Sequence, residues 1–314
     1  MGIEGFSESP NFCNAVTVGF LATAVGTLGT VGLGTLSYSL VEAQAFTTRE
    51  VTAPVLPNGS GPLRVLHLSD LHITPKQKRK INWVRSLSKL DPDLVVVTGD
   101  FMAHKNAVPA VLTALGDLVK KPGLFVLGSN DYYAPYIKNP FMYFDKNREI
   151  KVEGKELPTK DLVNSLMDNG WFDLDNQQFR LTVNGISIHA RGTDDPHINK
   201  DRYDLVAGPF DSFGLALGVT HAPYRRILEK FANDKADLVL AGHTHGGQIC
   251  IPFYGALVTN CDLSTRKAKG LSSFEVNDHK TLLHVSAGVG TSPFTPIRLA
   301  CRPEATLLTL TAKN

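Results

Sequence analysis

Short apolar runs along this chain stop abruptly at side chains able to hold a metal ion, and that placement restricts the fold more than any other feature. LRVLHLS, from Leu63, leads into Asp70 and His72, DLVVVTG into Asp100, and LFVLGS into Asn130 and Asp131. LALGVT then leads into His221, and ADLVLAG into His243 and His245. Short β-branched runs bounded by turn residues predict buried strands. INWVRSLSKL and AVPAVLTALGDLVKK, which lie between the first runs, have helical spacing. The β-α-β-α-β alternation predicts an α/β core whose strands are buried on both faces. Ligands of such sheets gather at the carboxyl ends of the strands. If the strand ends stay extended, the one-residue gaps in Asp70-Leu71-His72 and His243-Thr244-His245 point both members of each pair to one side.

A lone Asp-x-His or His-x-His is common, and a single strand-end histidine is more often a satisfied polar group than a ligand. Five successive strand ends carrying such groups are a different matter. Mixed carboxylate and imidazole donors suit Mn, Fe, Zn, Co or Ni, and a shared aspartate can hold two ions together.

In this order the residues resemble the calcineurin-like metallophosphoesterase family, with its motifs D-x-H, G-D, G-N-H-D/E, a lone H and G-H-x-H. They stand here as Asp70-Leu71-His72, Gly99-Asp100, Gly128-Ser129-Asn130-Asp131, His221 and Gly242-His243-Thr244-His245. GTDDPH (Gly192 to His197), ALVTN (Ala256 to Asn260) and SAGVGTS (Ser286 to Ser292) look like the membrane-linked bacterial branch of that family. The resemblance implies a four-layer α/β/β/α sandwich and a phosphoester hydrolase, acting on a diester or monoester. It also implies that Asp70, His72, Asp100 and His245 bind one divalent metal, and that Asp100, Asn130, His221 and His243 bind the other. Asp100 would bridge the ions, and a hydroxide held between them would attack phosphorus in line.

The third motif departs from the pattern. A gapless match puts Ser129 where the family has its ligand Asn, and Asn130 where it has a catalytic His. A one-residue shift keeps Asn130 as the ligand, and is favoured because a serine hydroxyl is the poorer donor for these metals. The usual proton donor is then missing, and His104, four residues beyond Asp100, is the candidate replacement, with a surface histidine as the plain alternative. Asp194, Asp195 and His197 read as turn residues or as support on the substrate side. The aromatic and basic stretch from Tyr132 to Pro158 interrupts the strand and helix rhythm, as an insertion or lid would.

The formal net charge of +2 gives no global field, so nucleic acid is not expected as a stable partner. Cys13, Cys250, Cys261 and Cys301 form no CxxC pair or zinc rhythm, although Cys250 and Cys261 are close enough in sequence for a disulfide outside the cell. No charged residue lies between Ser9 and Val41, and Ala15 to Leu40 exceeds the roughly 20 residues a spanning helix needs. A packed interior helix or a frayed tail is the alternative, as is a cleaved signal peptide ending at Ala43-Gln44-Ala45, but Glu4 and Glu8 without any Lys or Arg are wrong for a secretory leader. The expected organisation is therefore a tail over 1–14, a transmembrane segment or signal anchor over 15–41, a stalk or incoming strand over 42–61, and the metallophosphoesterase domain over 62–314. That arrangement predicts a single-pass protein of the cell membrane, acting on a phosphoester that is in one version lipid-linked. Arg49, Arg64, Lys76, Lys78, Arg79 and Lys80 all follow the span, so positive-inside logic leans to a cytoplasmic catalytic domain. A membrane-anchored metal-binding scaffold or sensor with little turnover is the competing function, motivated by the missing motif histidine.

Overall fold

The computed structural model describes residues 32–137, 154–211 and 213–313. Two six-stranded sheets face each other. The first contains β1 (Thr47–Leu56), β2 (Leu63–Leu68), β3 (Leu94–Thr98), β4 (Gly123–Val126), β5 (Trp171–Asp173) and the C-terminal β14 (Glu304–Ala312), in the order β1-β14-β2-β3-β4-β5. The second contains β6 (Gln178–Val183), β7 (Ile186–Thr193), β8 (Leu215–Thr220), β9 (Leu238–Ala241), β12 (Gly270–Val276) and β13 (His279–Val285), in the order β12-β13-β9-β8-β7-β6. A short hairpin of β10 (Cys250–Ile251) and β11 (Gly255–Ala256) stands beside them.

The period of two along each strand sorts the side chains into layers. Leu63, Val65, Val96, Leu124 and Val126 of the first sheet meet Ile188, Ala190, Leu217, Val219 and Leu240 of the second in the central layer. Leu66, Leu68, Val95, Val97 and Phe125 point the other way, against α2 (Lys78–Ser86), α3 (Val108–Leu115) and α5 (Thr159–Asp168). On the far side Ala216, Val239, Ala241 and Leu283 pack on Ile227 and Phe231 of α6 (Arg225–Asn233). This is the expected α/β/β/α sandwich. Central strands β2, β3 and β4 run parallel, as do β7, β8, β9 and β13, so their carboxyl ends share one edge of the molecule.

The expected membrane span is corrected. Among the described residues no helix is long and apolar enough to cross a membrane. Residues 15–31 of that span lie outside the described residues, and the remainder belongs to a helix, α1, over residues 32–42. Its last turn is docked on the domain: the Glu42 carboxylate accepts the backbone amides of Ala300 and Cys301, both at 2.9 Å, and the Ser39 carbonyl accepts that of Arg298. The single-pass topology, the membrane partner and the lean to a cytoplasmic domain that followed from it lose their support. The stretch expected as a stalk or incoming strand holds β1, an edge strand paired parallel with β14. Cys250, Cys261 and Cys301 are free thiols, so Cys250 and Cys261 are not paired. Most of the expected insertion after Tyr132, residues 138–153, falls outside the described residues.

One polar contact joins the sheets through the central layer. His67 of β2 and His284 of β13 meet Nδ1 to Nδ1 at 2.8 Å, and His67 Nε2 lies 2.9 Å from the Thr98 hydroxyl. Such a contact needs one ring to donate and the other to accept, so the accepting ring must be neutral. Burial lowers His284 to about 4, and burial together with His284 holds His67 well below its usual value. The unfolded chain takes up protons below about pH 6.5 while the folded chain does not, so stability present above that pH is lost as pH falls toward 4. Urea titrations between pH 7 and 4.5 should show this decline, and His284→Gln should make it shallower. Glu42→Ala leaves two amides without their acceptor and should cost about 1–3 kcal/mol, read as a lowered unfolding midpoint.

Candidate metal centre

The site forms where the parallel strands of both sheets end. Pairing continues past β2 and β3, since the amides of Asp70 and His72 donate to the carbonyls of Gly99 and Asp100 at 3.0 and 2.9 Å. The backbone does not stay extended, which corrects the expected strand-end geometry. Asp70, His72, Asp100, His243 and His245 all take positive φ, between 43° and 67°. Left-handed backbone at non-glycine residues is costly and clusters at functional sites. Two flanking glycines make the turns possible: a Cβ on Gly242 would overlap the Ser69 hydroxyl, and one on Gly128 would overlap Asp100 Oδ1.

Asp70 and Asp100 sit at the centre, both buried. Asp70 Oδ2 accepts the Ser69 hydroxyl at 2.6 Å and the His243 amide at 3.0 Å, while its buried Oδ1 has no hydrogen-bond partner and lies 3.5 Å from His245 Nε2. Asp100 Oδ2 lies 3.4 Å from His72 Nε2 and 3.7 Å from His221 Nε2. His72 and His245 stack, with their Nε2 atoms 3.3 Å apart. His221 Nδ1 donates to the Thr98 carbonyl at 2.7 Å, which leaves Nε2 facing Asp100. His243 Nε2 lies 3.2 Å from the Asn260 carbonyl, leaving Nδ1 facing His221, and His245 Nδ1 lies 3.2 Å from the Gly290 carbonyl.

Burial raises both carboxyls above their usual range, even against the pull of His221. It lowers His72 and His243, and with the Arg298 guanidinium beside it takes His245 to about 3. Those three rings are therefore neutral, the form a metal needs. For His221 burial acts downward, but Asp100, Asp195 and Asp70 outweigh it and push the ring up to about 9. Buried carboxylates facing imidazole lone pairs, one oxygen unpartnered, are a donor set suited to divalent cations. Two sets among the described residues have donor atoms within 4.8 Å of one another: Asp70, His72 and His245, and Asp70, Asp100 and His221. Asp70 is common to both, whereas the family resemblance gives the bridging place to Asp100, whose Oδ2 also lies between His72 and His221.

Asn130 is brought to this centre by a single helical turn, α4 (Ser129–Tyr132). Its amide N–H donates to Asp100 Oδ1 at 2.8 Å and its side chain to Oδ2 at 2.7 Å. Asp131 closes the turn from below, accepting the amides of Gly128 and Met102. Ser129 and Asn130 both line a cavity of about 320 Å³ that opens on the site. His104 is not brought there: it is exposed, and its Nδ1 accepts the Asn106 amide at 3.0 Å. His197 is, with its ring 4.3 Å from that of His243 and its Nδ1 3.0 Å from the Tyr224 hydroxyl. Asp195 caps the turn before it through the His197 amide, keeping its other oxygen buried and without a partner.

Arg298 went unread in the sequence. Fully buried, it donates to the carbonyls of Ala287 and Gly290 at 2.7 Å and of Gly288 at 3.0 Å, and reaches His245 Nδ1 at 3.3 Å. A lone Arg in PIRLA carries no local signal of that role, although SAGVGTS, the loop it clamps, was conspicuous. Gly288 and Gly290 of that loop pack directly on Asp70, the Gly290 amide donating to the Asp70 carbonyl at 2.6 Å.

The chain is 29% identical over 257 residues to the uncharacterized metallophosphoesterase YkoQ of Bacillus subtilis, covering 78% of this chain and 82% of that one. It is 25% identical over 311 residues to the uncharacterized metallophosphoesterase YkuE of the same organism, covering 94% and 96%. Among solved structures, the phosphopantetheinyl hydrolase PptH from Mycobacterium tuberculosis aligns over 78% of this chain and 96% of its own, at 13% identity and a TM-score of 0.39. Neither B. subtilis relative marks out a membrane-linked branch, so that narrower expectation is corrected to the family alone. The sequence model described as calcineurin-like phosphoesterase matches residues 63–247, from the first residue of β2 to just beyond His245. With more than half its length inside that match, the chain belongs to the calcineurin-like phosphoesterase family and is a metal-dependent phosphoesterase with donors for a dinuclear centre.

Proposed function

We propose that the protein hydrolyses a phosphodiester or phosphomonoester of a small molecule, with Asp70, His72, Asp100 and His245 holding one divalent ion and Asp100, Asn130, His221 and His243 the other. The observation that carries this reading is the convergence of two buried carboxylates on four imidazoles around an oxygen of Asp70 that has no partner. When bound, the ions supply a nucleophilic water at neutral pH and neutralise charge on the phosphoryl oxygens.

The chain's own residues prepare the ground for that chemistry. The carbonyls of Thr98, Asn260 and Gly290 orient the rings of His221, His243 and His245 so that each turns its other nitrogen inward. Asn130 serves as an oxygen donor once its amide turns by half a rotation, which exchanges its O and N positions. Ser129 and His197 line the wall of the cavity beside the donors, and Tyr224 fixes the orientation of the His197 ring. His104, exposed and apart from this wall, has no part in the reaction in this reading.

Chelation of the purified protein should abolish hydrolysis of bis-p-nitrophenyl phosphate and lower the melting temperature, and Mn should restore both. At a metal concentration a hundred times Kd the restored stability is about 2.7 kcal/mol. Asp100→Asn should bind fewer metal equivalents and lose at least about a hundredfold in turnover, since even partners behind a ligand cost 10–100-fold. Full metal loading with no hydrolysis of any ester would instead support the scaffold alternative. His104→Ala should keep its turnover on an ester with a poor leaving group, and a drop of tenfold or more would return the proton-donor role to His104.

A further inference from the structure

The cavity beside the metal donors has two unlike walls. The inner one carries His72, Asp100, Asn130, His197, His243 and His245. The outer one is built largely from Ile249, Leu257, Val258 and Ile297, with Tyr133 and Tyr136 opposite. Ile249 and Leu257 are 41% and 40% exposed, so neither is held there by the core. The same stretch of chain also leaves Ile251, Phe253 and Tyr254 exposed around β10 and β11, with Phe294 exposed on the neighbouring loop. Apolar side chains lining the mouth of a reactive site favour an apolar occupant, because water is a poor one.

This wall is preformed. Gln248 donates from Nε2 to the carbonyls of Thr295 and Ile297 at 3.0 and 3.1 Å, tying the two loops together across the cavity. The Leu299 amide donates to the Gln248 carbonyl, and the Cys250 amide to the Leu299 carbonyl. β10 and β11 pair Cys250 with Ala256, which fixes Ile249 and Leu257 on either side of the hairpin. Among the described lining residues none is Lys or Arg. Among those described residues, a substituent with its own phosphate or carboxylate would find no Lys or Arg to pair with. A volume of about 320 Å³ suits a small-molecule group.

We propose that the second substituent of the phosphoester is an uncharged apolar group, alkyl or aryl, seated against Ile249, Leu257, Val258 and Ile297 while the phosphoryl group lies at the metal donors. This names the substrate class of the site and rests on the phosphoesterase reading above. The wall acts on specificity: it places the ester by burying apolar surface and leaves the chemistry to the inner residues.

The test uses the full chain loaded with Mn and a series of p-nitrophenyl phosphodiesters whose second group is methyl, butyl, hexyl or phenyl. A further member carries a terminal carboxylate on the hexyl chain. kcat/KM should rise roughly two- to fourfold per methylene through the first few carbons, chiefly by a fall in KM. Phenyl should exceed methyl, and the carboxylate should cancel most of the gain. Ile249→Asn and Leu257→Asn, both at half-exposed positions, should flatten the dependence on chain length, with melting temperatures confirming that the variants fold. A flat or falling series, or a preference for the carboxylate member, with metal-dependent release from the methyl ester intact, overturns the apolar wall and leaves the phosphoesterase standing. No release from any member at full metal loading overturns both.

Discussion

Two carboxylates buried side by side set the terms for the rest of this structure. Asp70 and Asp100 follow neighbouring parallel strands, and the register that pairs Leu68 with Val97 carries on into the loops, so the two groups cannot avoid each other. Both are buried, and each is raised above its usual pKa range mainly because burial disfavours its charge. Neutral carboxylates would be poor ligands, so a centre of this kind works only if something positive compensates them. The second sheet brings His221 and His243 over them from β8 and β9, while His72 and His245 close the sides. The sandwich is therefore more than a support. Without both sheets ending at one edge, the donors would never meet.

Holding that many donors inward requires unfavourable backbone. Five of the seven residues expected as ligands are in left-handed conformation, which costs on the order of 1 kcal/mol or more apiece. The surrounding structure imposes it through hydrogen bonds that leave little alternative. Asp131 closes the turn under Asn130, the carbonyls of Thr98, Asn260 and Gly290 fix three rings, and Arg298 gathers the carbonyls of the loop that packs on Asp70. Arg298 also connects the centre to the start of the domain, because its amide and those of Ala300 and Cys301 are held by Ser39 and Glu42 of α1. The last turn of that helix is thus part of the frame behind the metal donors. Beside this half lies the apolar wall of the cavity, whose half-exposed residues contribute little to the core but are held in place by Gln248 and the short β10–β11 hairpin.

The donor types and their order along the chain were legible in the sequence because strand-end placement is local information. Each of Asp70, His72, Asp100, His221, His243 and His245 directly follows an apolar run that folds as a strand. The layered fold was legible for the same reason, since period-two burial and helical spacing are written in neighbouring residues. Asn130 was reachable only through an assumed shift in a departing motif, and it is the residue that touches both oxygens of Asp100, one through its backbone amide and one through its side chain. The N-terminal expectation rested on composition alone, whereas among the described residues no helix is long and apolar enough to cross a membrane, and Glu42 at the end of α1 is spent on the domain.

The sequence by itself determined the donors, their order and the alternation of strands and helices, because these depend on residues close together in the chain. Tertiary structure decided everything that depends on distance across the fold. It placed His197 against His243 and left His104 on the surface, although His104 is much nearer in sequence to Asp100. It recruited Arg298, and it turned the ligand pairs inward through left-handed backbone rather than through extended strand ends. Which histidine stands at a reactive site is a matter of where loops from different strands cross, and that is fixed by packing two sheets face to face.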